Sequence, residues 1–239
     1  IWTSPHSARR YFRARKRDRG YQALSAGLIA AGAGNGMLAR KMSIRTRGLL
    51  RADQEPLIHL LDAQAALIEG RHEEARAKFE SMANDPETRE LGLRGLYMEA
   101  RRLGASEAAT QYAERAAEHA PHLPWASEAT LEAQSRSGRW DQALQTLDQQ
   151  RANQIVNKSQ ADRLKAVLLT ARATERLEGD PKAAREDARA ALKLAKDLVP
   201  AAIVLAKALV REDGLRKAEA VLENVWKLSP HPEVAQAYI

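Results

Sequence analysis

The chain has 239 residues, a formal net charge of +7 and 44% hydrophobic residues, enough apolar content over that length to bury a sizeable core. It contains no cysteine, which excludes a disulfide framework, thiolate zinc and thiol catalysis. Ala, Leu, Arg and Glu dominate over two Phe and five Tyr, a helical profile with no convincing alternating β-branched run.

Charge is unevenly placed. Residues 9–19 hold seven basic side chains and one acid, which leaves 31 basic and 30 acidic residues elsewhere. The body is therefore near neutral, and it offers no electrostatic case for nucleic-acid binding. No apolar run reaches the roughly 18 residues of a bilayer span. The nearest, residues 23–39, is uncharged but broken by four glycines, and reads as a buried helix and a turn.

In chain order, residues 1–19 (IWTSPHSARRYFRARKRDR) start as a loop around Pro5 and become a basic stretch with Tyr11 and Phe12. Three readings fit them: a solvated, partly helical lead-in, a nucleic-acid arm, or a juxtamembrane segment. The last is the working expectation. It sets Arg9, Arg10, Arg13, Arg15, Lys16, Arg17 and Arg19 at anionic headgroups and the rings at the interface. Each basic residue adds about 1 kcal/mol at such a surface, so the contact is reversible and salt-sensitive.

Residues 20–47 read as a first helical hairpin. Tyr21, Leu24, Leu28 and Ile29 share a face, and Gly32, Gly34 and Gly36 crowd the turn. Glycine costs about 1 kcal/mol in a helix interior, so this hairpin is expected to be the least regular. Residues 56–84 form a second, with Leu60, Leu61 and Ala65 on the first helix and Ala75 and Phe79 facing inward on the return. Residues 87–120, 125–152, 163–196 and 198–228 give four more, and 231–239 begin a further helix. The ends, at Ile1 and inside that last pattern, read as cuts from a longer chain.

The spacing within this series carries the fold assignment. Gly70, Gly104 and Gly138 lie 34 residues apart, as do Ala75, Ala109 and Ala143. That is the period of the tetratricopeptide repeat (TPR), in which each hairpin stacks on the next. Ala143 to Ala184 is 41 residues, and the surplus falls in the Asn- and Gln-bearing stretch 152–161, read as a lengthened helix or loop. Ala184 to Ala218 restores the step. The expected fold class is all-α: a tetratricopeptide-like α–α superhelix, a right-handed solenoid of hairpins over residues 20–239, behind the basic segment 1–19.

A narrower resemblance lies on top. RGYQAL at 19–24, LGLRGLYMEARR at 91–102, YAERAAEHAPHLPWA at 112–126, DLVPAA at 197–202 and LRKAEAVLENVWKLSPHPEVAQAY at 215–238 resemble the HemY-type proteins of proteobacteria. The resemblance implies two transmembrane helices ahead of the basic stretch, an inner-membrane location with this region on the cytoplasmic side, and a link to late haem or porphyrin synthesis. A flavin-dependent protoporphyrinogen oxidase shares the name, but this sequence has no GxGxxG after a strand.

Candidate sites follow from the repeat. The first helix of each TPR hairpin lines an inner groove. That register selects Gln64, Arg94, Met98, Arg101, Arg102, Glu128, Glu132, Arg136, Arg176 and Lys207 for partner binding. Arg94, Arg101 and Arg102 form a basic patch suited to an acidic partner, although Arg94 also stands one helical turn from Glu90. No catalytic or metal-binding constellation is recognisable. His119 and His122 are separated by Pro121 and suit a helix end better than a haem site. The expectation is a non-enzymatic scaffold, without a cofactor, for protein partners that include late haem-biosynthesis enzymes. Direct haem or porphyrin binding, and a general envelope scaffold with no haem link, are the alternatives.

Overall fold

The computed structural model describes residues 5–51 and 55–239, with side chains from residue 10 onward. Thirteen α-helices and no strand occur among these residues. The first compact unit, Ile1–Ala120, holds α1 (Pro5–Gly32), α2 (Gly36–Leu49), α3 (Leu57–Ile68), α4 (His72–Asn84), α5 (Arg89–Arg102) and α6 (Ser106–His119). The second, Pro121–Ile239, holds α7 (Pro124–Arg136), α8 (Trp140–Ala152), α9 (Lys158–Arg176), α10 (Pro181–Leu194), α11 (Val199–Arg211), α12 (Leu215–Leu228) and α13 (Pro232–Tyr238). Odd-numbered helices up to α11 pack against the even-numbered helix that comes next, which gives three hairpins in each unit. This is the all-α TPR-type hairpin repeat expected from the spacing.

One turn recurs at the hinge of the hairpins. Gly34, Gly70, Gly104 and Gly138 adopt φ of 70–74°, a region glycine enters without steric cost. At the second of these, Gly70 N–H donates to Leu67 C=O at 3.0 Å and Arg71 N–H to Ala66 C=O at 2.8 Å. The same pair of bonds closes the turns at Gly34, Gly104 and Gly138, so the last carbonyls of each first helix are satisfied. Five residues after each glycine stands a buried alanine: Ala39, Ala75, Ala109 and Ala143. Its small side chain lets the return helix close on its partner.

The later hairpins keep the alanine and vary the turn. Asp213, with φ of 58°, takes the glycine's place before buried Ala218. At Gly179 the turn is not left-handed; instead Asp180 accepts a hydrogen bond from Ala183 N–H at 3.0 Å and caps α10, and Ala184 is again buried.

The first hairpin departs from expectation in three ways. It is as regular as the others, because Gly34 and Ala39 obey the same rule, 36 residues ahead of Gly70 and Ala75. Pro5 starts a helix instead of lying in a loop, in keeping with its preset φ at a first helical turn, and α1 runs on unbroken through residues 19 and 20. The buried face is built from small residues. Tyr21 and Ile29 are exposed, while Ala23, Leu24 and Ala30 are buried. The glycines are contact points: a Cβ on Gly20 would sit 2.5 Å from Leu50 Cγ, and one on Gly27 2.6 Å from Leu61 Cδ2.

Close packing and the break in the repeat each leave a local mark. Where α5 crosses α4, a Cβ on Gly92 would lie 2.3 Å from Ala83 N, and one on Gly95 would strike the Phe79 ring. The surplus between the fourth and fifth hairpins is both loop and helix. Gln154 turns the chain with φ of 59°. Asn157 and Gln160 then form a reciprocal capping box, at 2.9 and 3.2 Å. Helix α9 has 19 residues against 13 in α7.

Two glycine substitutions separate backbone strain from steric clash. Around Gly104 there is open space, so Gly104→Ala meets only the cost of a left-handed alanine, about 1 kcal/mol. Gly92→Ala collides with backbone and is expected to cost clearly more, about 2 kcal/mol or above. Urea unfolding of both variants checks the order.

Candidate functional site

The expected partner-binding residues fall on the first helices of the hairpins, each described within its own unit. In the first unit, Gln64 on α3 is half-buried, and Arg94, Met98, Arg101 and Arg102 on α5 are exposed. Their surroundings differ. The Arg101 guanidinium stands 5.8 Å over the Tyr97 ring and donates to its hydroxyl at 3.3 Å. Arg102 is held by Glu99, with Nη2 to Oε2 at 2.9 Å, and Glu99 is itself buried and 3.4 Å from His72 Nδ1. No ion pair joins Arg94 to Glu90 among the described residues. Arg94 and Met98 are thus the more available part of this face, while Arg102 partly neutralises a buried carboxylate.

The first unit holds a second buried acid. Asp62 on α3 accepts a hydrogen bond from Ser43 of α2, and its Oδ2 is 3.8 Å from Arg47 and 3.7 Å from Lys78 of α4. One carboxylate therefore ties three helices together.

In the second unit, Arg176 belongs to an ion-pair cluster. Arg172 Nε and Nη2 donate to the two oxygens of buried Asp187 at 2.9 and 2.6 Å, and the same guanidinium reaches Asp141. Arg176 adds a 3.2 Å contact to Asp187. The hydrogen bonds to Asp187 hold the Arg172 guanidinium above its ordinary pKa. This cluster fastens α9 to α10 and α8, so Arg176 is partly a structural residue. Lys207 is exposed on α11 in a groove of about 490 Å³ that also holds Glu178 and Arg211. Arg211 bonds Leu177 C=O at 2.6 Å and pairs with Glu178, which holds that carboxyl below its usual range.

Glu128 and Glu132 edge a more distinctive groove, of about 530 Å³, between α7 and α9. Leu131, Trp140, Val156, Leu164, Val167 and Leu168 give it apolar walls. Leu164 and Val167 are 41% and 47% exposed at its mouth. Arg136 is paired with Glu132, and Trp140 Nε1 donates to Glu175. Gln150 also lines the groove; it is 1% exposed, and its Nε2 has no hydrogen-bond partner. Sequence register found the two glutamates. It missed Trp140, Gln150, Leu164 and Val167, although the seven-residue slip in the repeat pointed at this place.

Arg9 lies outside the described side chains. Arg10, Arg13, Arg15, Lys16, Arg17 and Arg19 are all exposed on α1. Tyr11 and Phe12 are exposed beside them, their rings edge to face at 5.9 Å. Among the described residues no group of His, Cys, Asp and Glu is arranged to hold a metal, and no helix is long and apolar enough to cross a membrane. His119 closes the last turn of α6, and His122 lies in the turn before α7.

Comparison with known proteins bears on these surfaces. A family model described as the HemY protein N-terminus matches residues 1–70. The first 70 residues are thus similar to the HemY N-terminus, and the helical hairpins have the TPR fold. Among solved structures, the C-terminal part of a TPR repeat-containing protein from Cytophaga hutchinsonii is similar over 95% of this chain and 90% of its own, with a TM-score of 0.55 at 14% identity. Yeast Tom70 is similar over 94% of this chain and 53% of its own, with a TM-score of 0.42 at 16% identity. No curated protein sequence matches. The HemY match covers α1, α2 and α3 and stops at Gly70, the second of the left-handed turns. The fold shared with the Cytophaga protein is that of a TPR-type hairpin repeat.

The ion pairs separate by burial. Arg172→Met leaves buried Asp187 with Arg176 alone and is expected to cost about 2 kcal/mol. Arg136→Met, at an exposed pair one turn apart, is expected to cost about 0.5 kcal/mol or less. Thermal or urea melts of the two variants make the comparison.

Proposed function

We propose that this HemY-type chain is a non-catalytic scaffold whose exposed first-helix faces bind protein partners of haem or porphyrin biosynthesis. The carrying observation is a HemY N-terminal match on a chain of TPR-type hairpins whose first helices expose Arg94, Met98, Glu128 and Lys207. Hairpin repeats present side chains along a surface, which suits contact with another chain better than enclosure of a substrate. The haem link comes from the family and from no residue of the site.

The same reading holds the full-length protein at the bacterial inner membrane, with this region on the cytoplasmic side. What supports it is the shape of α1. That helix has 28 residues against 14 in α2, about 42 and 21 Å. Every side chain from residue 10 to residue 19 is exposed. Such a stem, basic on all sides and carrying an aromatic pair, suits an anionic headgroup layer. Nucleic acid is not a partner in this reading, because the body beyond the stem is near neutral.

Affinity purification of the full-length protein in mild detergent, with quantitative mass spectrometry, tests the scaffold. Late haem-biosynthesis enzymes are expected to co-purify, and to be lost when Arg94→Glu and Met98→Asp are introduced together. Recovery of none overturns the haem assignment. For the stem, Arg13→Glu, Lys16→Glu and Arg17→Glu together are expected to lower binding to anionic vesicles by about tenfold or more. The parent's binding is expected to fall steeply with salt; unchanged flotation of the triple variant removes the membrane contact.

A further inference from the structure

We infer that the groove between α7 and α9 binds an extended, basic-apolar peptide segment of a partner, an apolar side chain entering between Leu131 and Val167 and a Lys or Arg meeting Glu128. This rests on the scaffold reading and names the kind of partner that one groove takes.

Three observations within the second unit converge. The first is apolar surface with nothing on it. Leu164 and Val167 face the opening at 41% and 47% exposure, beside Trp140 and Leu168. Covering them removes apolar surface from water, which favours an apolar occupant.

The second is charge. Glu128 lines the groove and has no ion-pair partner among the described residues, whereas Glu132 is already paired with Arg136. The nearby cations of α9 are engaged as well: Arg163 with Asp197 at 2.6 Å, and Lys165 with Asp148 at 3.0 Å. The groove is therefore acidic in effect, on a chain whose formal net charge is +7.

The third is an unused donor. Gln150 lines the groove with its Nε2 buried and unpartnered, and a buried amide left so is costly until an acceptor arrives. Carbonyls inside a helix are already bonded to their own chain. A free carbonyl belongs to an extended segment, and this favours an extended occupant over a docked helix.

The groove owes its existence to the break in the repeat. The seven surplus residues lengthen α9 and insert the turn at Gln154, and Val156 from that turn forms part of the wall. A continuous 34-residue step would not supply that wall.

The test uses the whole chain and two short fluorescein-labelled peptides flanked by Gly and Ser, one with a Leu-Arg-Leu-Lys centre and one with Leu-Glu-Leu-Asp. Fluorescence anisotropy is expected to show tighter binding of the basic peptide, against the direction that net charge alone dictates. Val167→Asp and Glu128→Lys, both at exposed positions, are each expected to weaken that binding by about tenfold. Gln150→Leu is expected to weaken it by roughly fivefold while leaving thermal stability equal or higher, because it removes an unsatisfied buried group. That stability readout separates loss of a donor from loss of fold. Equal binding of the two peptides, preference for the acidic one, or indifference to Val167→Asp and Glu128→Lys overturns the inference. If affinity purification of the full-length protein still recovers partners, the scaffold reading survives that failure.

Discussion

The structure depends on one local constraint. A residue with positive φ ends the first helix of a hairpin, and an alanine five positions later lets the return helix lie close against it. The left-handed residue reverses the chain while satisfying the last carbonyls of the first helix. The alanine sets the separation of the two axes, because a larger side chain there would force them apart. Gly34, Gly70, Gly104 and Gly138 meet the first condition, and Asp213 meets it at some cost. Ala184 shows that the second condition persists where the turn itself is built from Asp180 and Pro181 instead. This geometry dictates the core. It is rich in alanine and leucine because closely spaced helices leave little room for rings, and Phe79 fits only where Gly95 makes space for it.

Charge organises a second level. The exposed pairs, such as Arg136 with Glu132, contribute little to stability in water. The buried carboxylates do more, because each is shared among elements. Asp62 binds side chains of α2 and α4 from its place on α3, and Asp187 on α10 is clasped by two arginines of α9. These acids cross-brace helices whose alanine contacts alone are smooth and short. Arginines that the repeat register marks for partner contact are thereby split: Arg102 and Arg176 have work inside the fold, and Arg94 keeps an exposed position.

The interruption of the repeat is where architecture turns into a candidate site. The other step in the second unit, from Ala184 to Ala218, is the regular 34 residues, and α11 packs against α9. Between α7 and α9 the added loop and the longer helix leave apolar side chains, an unpaired carboxylate and an orphan amide around one groove. At the other end of the chain, α1 outruns α2 and presents its surplus length as an exposed basic stem. Both features are departures from the regular unit, and both carry the chemistry that the regular unit lacks.

The sequence by itself determined the period, and with it the fold. Glycines and alanines at a 34-residue step report backbone conformation and close helix contact, which are local properties and can be read from residue types alone. It also located the basic stem and the point where the period slips. What it misjudged was the first hairpin, where the turn glycines were counted as a cost although Gly34 makes the left-handed turn of the repeat and Gly36 packs on Ile68, and where Tyr21 and Ile29 were assigned to a face that the structure leaves open. The HemY resemblance was legible in short segments such as RGYQAL, within the part that the family match covers. Only the tertiary structure decided which charged residues are spent on one another and which groove remains open. Those outcomes depend on side chains distant in sequence: Trp140 meets Glu175, and Arg211 meets Leu177, contacts that exist only once one hairpin lies against the next.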